Sequence, residues 1–146
     1  MHPVRKPTRI PGFDYSKDYY YFVTACTDEK KCIFGSIDSY SLFGSIAYEA
    51  ILDIPNHHPG ARVDKFVVMP NHIHMIIVMG CGQNLNTVVG LYKSSVSRKI
   101  HQISEIKVWQ RSYHDHIIRN DRDFQRIWNY IDTNPMRWEK DCFYME

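Results

Sequence analysis

Residues 62–79 read RVDKFVVMPNHIHMIIVM, two apolar runs (62–69 and 72–79) on either side of the dipeptide Pro70-Asn71. Runs this rich in Val, Ile and Met favour extended chain, and a two-residue connection suits a hairpin, so the stretch predicts two antiparallel strands. Side chains alternate along a strand. His72, His74, Ile76 and Val78 therefore share one face, while Ile73, Met75, Ile77 and Met79 share the other. Both faces are apolar, so both are expected to be covered.

Working outward, residues 19–27 (YYYFVTACT) are aromatic and β-branched, which suits a buried strand, and the polar residues 28–31 make a turn. Leu42, Phe43, Ile46, Ala50 and Ile51 recur at helical spacing within 36–53, with Asp38 as the expected N-cap and Pro55 near the end. A second helix is predicted over 85–103. It places Leu85, Val88, Val89, Tyr92, Val96 and Ile100 on one side and Lys93, Arg98 and Lys99 on the other. Residues 108–118 read as a fourth strand. Residues 121–134 read as a third helix, capped by Asn120 or Asp121, with Pro135 stopping further regular winding. The order β-α-β-β-α-β-α predicts an α+β fold, the ferredoxin-like split β-α-β sandwich. Its four-stranded antiparallel sheet carries helices on one face, with an added C-terminal helix.

The chain has 146 residues, which suits one domain, expected here over 19–146 behind an arm over 1–18 that carries Arg5, Lys6 and Arg9 among prolines. A composition that is 44% hydrophobic and 23% charged argues against disorder, and no apolar run reaches the roughly 18–20 residues that span a bilayer. The four cysteines form no C-x-x-C pair, which fits reduced thiols and a cytoplasmic setting. Net charge is only +2, so charge distribution rather than total charge has to indicate any nucleic-acid partner.

The sharpest chemical feature is His72-x-His74, two imidazoles on one strand face at a spacing that lets them share one metal ion. Alternating histidines of this kind also occur as hydrogen-bonded core or surface residues, and His114 and His116 repeat the pattern on the fourth strand. Two histidines do not complete a ligand set. On the third helix the apolar stripe is Phe124, Ile127, Trp128 and Ile131, and Tyr130 and Asn134 fall one turn apart along its edge. Taken singly, Tyr130 also reads as a boundary tyrosine and Asn134 as a helix C-cap.

In this order the blocks resemble the single-tyrosine HUH transposases (IS200-like), and within them the REP-associated tyrosine transposases. The resemblance rests on Val68-Met69-Pro70-Asn71-His72-Ile73-His74, on residues 108–119 (VWQRSYHDHIIR) and on Tyr130-Ile131-Asp132-Thr133-Asn134-Pro135. Residues 5–7, 11–15 and 21–24 also look like the family's start. The resemblance implies that His72 and His74 hold a divalent ion, Mg2+ or Mn2+, and that Tyr130 is the nucleophile. Asn134 then stands where relatives place a polar third ligand, Gln in many of them. It further implies a metal-dependent single-strand DNA endonuclease and strand transferase that cleaves near hairpins through a 5′-phosphotyrosine intermediate. The expected partner is single-stranded or hairpin DNA, such as repeats flanking its own gene in a bacterial nucleoid. The resemblance also allows a homodimer.

Those residue types make chemical sense. A phenol with a reference pKa of about 10 needs help to attack a phosphodiester at neutral pH, and a metal that withdraws charge from the phosphate provides it. For DNA contacts, Lys93, Arg98, Lys99, Lys107, Arg111 and Arg119 face only Glu105 and Asp115 across 93–119, a local excess of four positive charges that suits backbone phosphates. Arg5, Lys6 and Arg9 on the arm are further candidates. Two rival readings predict different results. A non-catalytic hairpin-binding module would bind without needing His72, His74 or Tyr130, and a metal nuclease that activates water would cleave without forming a protein–DNA adduct.

Overall fold

The hairpin forms as its sequence requires: β2 (Ala61–Met69) and β3 (His72–Met79) pair antiparallel from Met69 opposite His72, turning on Pro70 and Asn71. A bulge between Val63 and Lys65 interrupts the register. The computed structural model describes residues 19–80 and 82–140, so the arm with Arg5, Lys6 and Arg9 lies outside the described residues. β1 (Tyr19–Cys26) runs along the other side of β3, with Cys26 opposite His72, and pairs on its far edge with β4 (His114–Ile118). The sheet order is β2-β3-β1-β4 with every pair antiparallel, the ferredoxin-like arrangement expected from the order of elements.

Every residue of β3 is buried, because the sheet is covered on both faces. On one face Val23, Ala25, Ile73, Met75 and Ile77 pack with Ala47 and Ile51 of α1 (Leu42–Leu52) and Val88, Tyr92 and Val96 of α3 (Leu85–Ile100). On the other, Ile127 and Ile131 of α4 (Asp121–Thr133) close over Ile76 and Ile118. Each fully buried Val, Ile or Met side chain among these contributes about 1.5–3 kcal/mol. A short α2 (Ile54–His57) follows α1, and no described helix is long and apolar enough to cross a membrane.

Three predicted boundaries shift, each for a local reason. The first helix begins at Leu42 rather than near Ser36, because Ser41 is its cap: its hydroxyl accepts from Gly44 N–H (3.1 Å) and donates to the Ile33 carbonyl (2.6 Å). Asp38 instead lies in an exposed turn closed by the Gly35–Tyr40 bridge. α3 stops at Ile100, where His101 caps it and bonds the Ile106 carbonyl (2.8 Å), leaving Ile103 exposed. β4 starts only at His114. Upstream, Trp109 keeps one isolated bridge to Thr27, and Lys93 Nζ donates to the carbonyls of Gln110 (2.9 Å) and Ser112 (3.4 Å), so this segment is pinned to α3.

The α-helix ends at Thr133, just before Pro135 as expected, and a short segment kinked at Arg137 follows. That segment, Pro135–Lys140, is of the 3-10 type, with Arg137 N–H donating to the Asn134 carbonyl (3.1 Å). Proline lacks the donor an α-helix needs, yet its fixed φ suits a first tight turn.

Gly44 marks the closest approach of α1 to the chain before it, since a Cβ there would lie 2.1 Å from the Phe34 carbonyl oxygen. Gly44→Ala is expected to cost about 1–3 kcal/mol of stability. A lower urea midpoint with an unchanged slope is the expected readout, and an unchanged midpoint contradicts this packing.

Candidate active site

His72 and His74 enter the covered layer between the sheet and α4, both essentially without solvent contact and with ring centroids 4.6 Å apart. Their neighbours orient them. The Asn71 amide N–H donates to the Lys30 carbonyl (3.1 Å), so its Oδ1 is the acceptor for the His72 Nδ1–H (2.8 Å). That bond makes Nε2 of His72 the lone-pair nitrogen. His74 Nδ1 is hydrogen-bonded to Thr24 Oγ1 at 2.7 Å, across from it on β1. The Nε2 atoms of both histidines and Oδ1 of Asn134 are buried with no hydrogen bond among the described residues. Burial, reinforced by the neighbouring His72, holds His74 well below the ordinary imidazole pKa, so the ring is neutral at pH 7.

α4 brings the tyrosine to this pair. Its N-terminus is set by Asn120, whose Oδ1 accepts from Asp123 N–H (2.8 Å), with Asp121 and Asp123 favourably placed in the first turn. With Ile127 and Ile131 anchored on the sheet, Tyr130 falls over Phe22 (6.1 Å between centroids) and His74 (5.3 Å). The Arg137 guanidinium sits over the Tyr130 ring, 5.4 Å from its centroid. One turn past Asn134, Trp138 reaches His72 at 6.2 Å. Asn134 is four residues from each of the helix residues making these aromatic contacts and is itself buried.

Tyr130 opens onto a cleft of about 280 Å³ lined also by Phe22, Thr24, His74, His116 and Arg126. Among the described residues no group of three or more His, Cys, Asp or Glu side chains is arranged to hold a metal, so within them a site built on His72 and His74 would draw a further donor from another residue type. The buried amide oxygen of Asn134 is such a donor, and two imidazole nitrogens with one amide oxygen fit a divalent ion. Cys26, opposite His72, and Cys32 are not in disulfides.

The predicted basic residues do not form one surface. Lys93, Arg98 and Lys99 lie on α3, behind the sheet from the histidines, where Lys93, Arg98, Ser97, His101 and Trp109 line a separate depression of about 480 Å³. Lys93 is committed to the backbone carbonyls of the following segment. Arg111 precedes β4 at the histidine end of the sheet and Arg119 follows it at the opposite end, both exposed. Sequence reasoning missed Thr24, Asn71, Arg126 and Arg137 as parts of the site. Asn71 flanks the histidine pair in sequence, but the other three reach it only through strand register and the turn after Asn134.

The family model described as IS200-like transposase matches residues 14–134. An uncharacterized protein of Haemophilus influenzae is 31% identical over 169 aligned positions, covering 97% of this chain and 94% of the relative. The REP-associated tyrosine transposase of Escherichia coli is 26% identical over 93 positions, covering 62% of this chain and 54% of that protein. Among solved structures, a REP-associated tyrosine transposase bound to a REP hairpin shares the fold, with a TM-score of 0.71 at 19% identity over 94% of this chain and 74% of that one. Matched by that family model over most of its length, the chain belongs to the IS200-like transposase family and is an enzyme of the HUH tyrosine-transposase type.

Proposed function

We propose that the chain cleaves and rejoins single-stranded DNA beside hairpins, forming a covalent 5′-phosphotyrosine link at Tyr130. The observation that carries this reading is the packing of the Tyr130 ring on His74, itself beside His72, within one cleft between α4 and the sheet. A Mg2+ or Mn2+ ion would be held by His72 Nε2, His74 Nε2 and Asn134 Oδ1, and when bound it supplies positive charge to the scissile phosphate. Asn71 and Thr24 keep the imidazoles turned for that task through their Nδ1 bonds. Phe22, His74 and Arg137 confine the phenol ring, so attack on phosphorus starts from a held geometry. The Tyr130 oxygen bonds to phosphorus as the bond to the 3′-oxygen breaks, and the phosphodiester energy is retained for joining.

Arg126, exposed in the wall of the cleft, and Arg111, exposed at the histidine end of the sheet, would meet strand phosphates, while Arg98 and Lys99 on α3 would serve more distant DNA. The substrates to try are single-stranded oligonucleotides covering the repeats that flank its own gene in the bacterial cytoplasm. With Mn2+ present, a denaturing gel is expected to show cut strand and a slower protein–DNA band. Cleavage with no adduct, under conditions that trap one, contradicts the tyrosyl route.

Thr24→Val tests the orientation of His74. Losing the 2.7 Å bond to Nδ1 is expected to lower activity or metal affinity by about 10–100-fold. A Mn2+ titration of cleavage reads this as a raised half-saturation point, and an unchanged titration curve removes Thr24 from the site.

A further inference from the structure

Asp123 joins two residues that face the Tyr130 cleft from outside the histidine pair. Its Oδ2 accepts from His116 Nε2–H at 2.7 Å and its Oδ1 accepts from Arg126, while His116 and Arg126 both line the cleft that Tyr130 opens onto. The strand register explains why His116 is there. It stands opposite Phe22, whose ring touches Tyr130, so it points to the same sheet face as the nucleophile. It lies two strand spacings, roughly 10 Å, from β3, and so is separate from the buried pair.

We propose that His116, oriented by Asp123, is the general base that takes the phenolic proton of Tyr130. The inference rests on Tyr130 being the nucleophile. The Asp123 carboxylate selects the tautomer with hydrogen on Nε2, which leaves the Nδ1 lone pair to accept a proton. As the Tyr130 oxygen bonds to phosphorus, its proton passes to His116 Nδ1, directly or through one water. The bond from phosphorus to the 3′-oxygen breaks, and that oxygen takes a proton from solvent. Asp123 is a positioning residue that stabilises the imidazolium so formed, and Arg126, sharing its other oxygen, presents a positive charge at the same wall.

The carboxylate is suited to the task. Although desolvation works the other way, hydrogen bonds from His116 and Arg126 hold Asp123 below the ordinary carboxylate pKa, so it stays ionised through the working range. The titratable and charged groups around His116 are Asp123, Arg126 and Tyr130 of α4, His74 across the cleft, and His114 two residues back on the same face of β4. From β1 it meets Phe22 and Thr24, which are uncharged. The residue is half exposed, as a group that exchanges protons with substrate and water needs to be.

Full-length protein carrying His116→Ala, His116→Gln or Asp123→Asn is assayed for adduct formation at saturating Mn2+ across pH, alongside hairpin binding and thermal midpoint. The two His116 variants are expected to keep binding and fold while the rate of adduct formation falls about 10²-fold. Added imidazole is expected to restore part of the rate to His116→Ala and none to His116→Gln, a rescue that a purely structural histidine would not show. With a substrate whose leaving 3′-oxygen is replaced by sulfur, the His116 defect is expected to persist; its disappearance overturns the base assignment. A rate within about three-fold of the parent with the same pH profile also overturns it. Loss of adduct in Tyr130→Phe with full activity in His116→Gln defeats this inference alone, whereas an adduct that survives in Tyr130→Phe defeats the nucleophile reading beneath it.

Discussion

Tyr130→Phe is expected to abolish both strand cleavage and the covalent adduct while hairpin binding and thermal stability stay at their parent values. The substitution removes one oxygen and leaves the ring, and the ring makes the contacts with Phe22, His74 and Arg137. Little packing energy is therefore at risk, and the phenol oxygen is the only atom whose loss the assay reads. Removing a nucleophile costs at least about 10³-fold in a covalent mechanism, so the residual signal should sit at background. Ten tyrosines make substitution by another residue a real alternative. Tyr113 is the first to check, because it lies next to β4, yet its hydroxyl bonds Asn86 of α3 and His114, its neighbour, takes the site face. An adduct mapped to Tyr113 or any other tyrosine in Tyr130→Phe contradicts the assignment.

The second large effect is expected from the histidine pair. His72→Ala and His74→Ala should each lose metal-dependent cleavage by about 10²-fold or more, matching the parent enzyme in excess chelator. His74 is neutral at pH 7 through burial and the neighbouring His72, so no proton has to be displaced before its Nε2 can act as a ligand. Truncating a fully buried ring also leaves a cavity, at a cost of about 2–4 kcal/mol. His74→Gln, closer in volume, separates the two effects: Mn2+ binding measured by calorimetry should be lost while circular dichroism and hairpin binding remain. Undiminished cleavage by the parent in excess chelator, or by His74→Gln, contradicts the metal reading.

Local chemistry was legible wherever one element carried its own signal. The hairpin at Pro70-Asn71 and the alternation of His72 and His74 followed from spacing alone, and both appear as read. Asn120 as the cap of the tyrosine helix was readable from turn chemistry. The boundaries that moved depend on partners distant in sequence. Ser41 outcompetes Asp38 because its hydroxyl also satisfies the Ile33 carbonyl, and β4 is shortened because Lys93, seventeen residues before Gln110, holds that segment's carbonyls. Residues close along 93–119 are likewise divided between the back of the sheet and its two ends.

By itself the sequence determined the order of elements, the strand that carries the histidines and the helix that carries the tyrosine, because periodicities of 2 and 3.6 are properties of a single segment. Only the tertiary structure decided what meets what. The antiparallel register of β1 with β3 and β4 sets Thr24 beside His74 and lays His116 against Phe22, and the tight turn after Asn134 returns Arg137 to Tyr130 and Trp138 to His72. Such pairings depend on how two faces are packed against each other. That packing is settled by burying the Ile76, Ile118, Ile127 and Ile131 side chains together, which no one segment specifies.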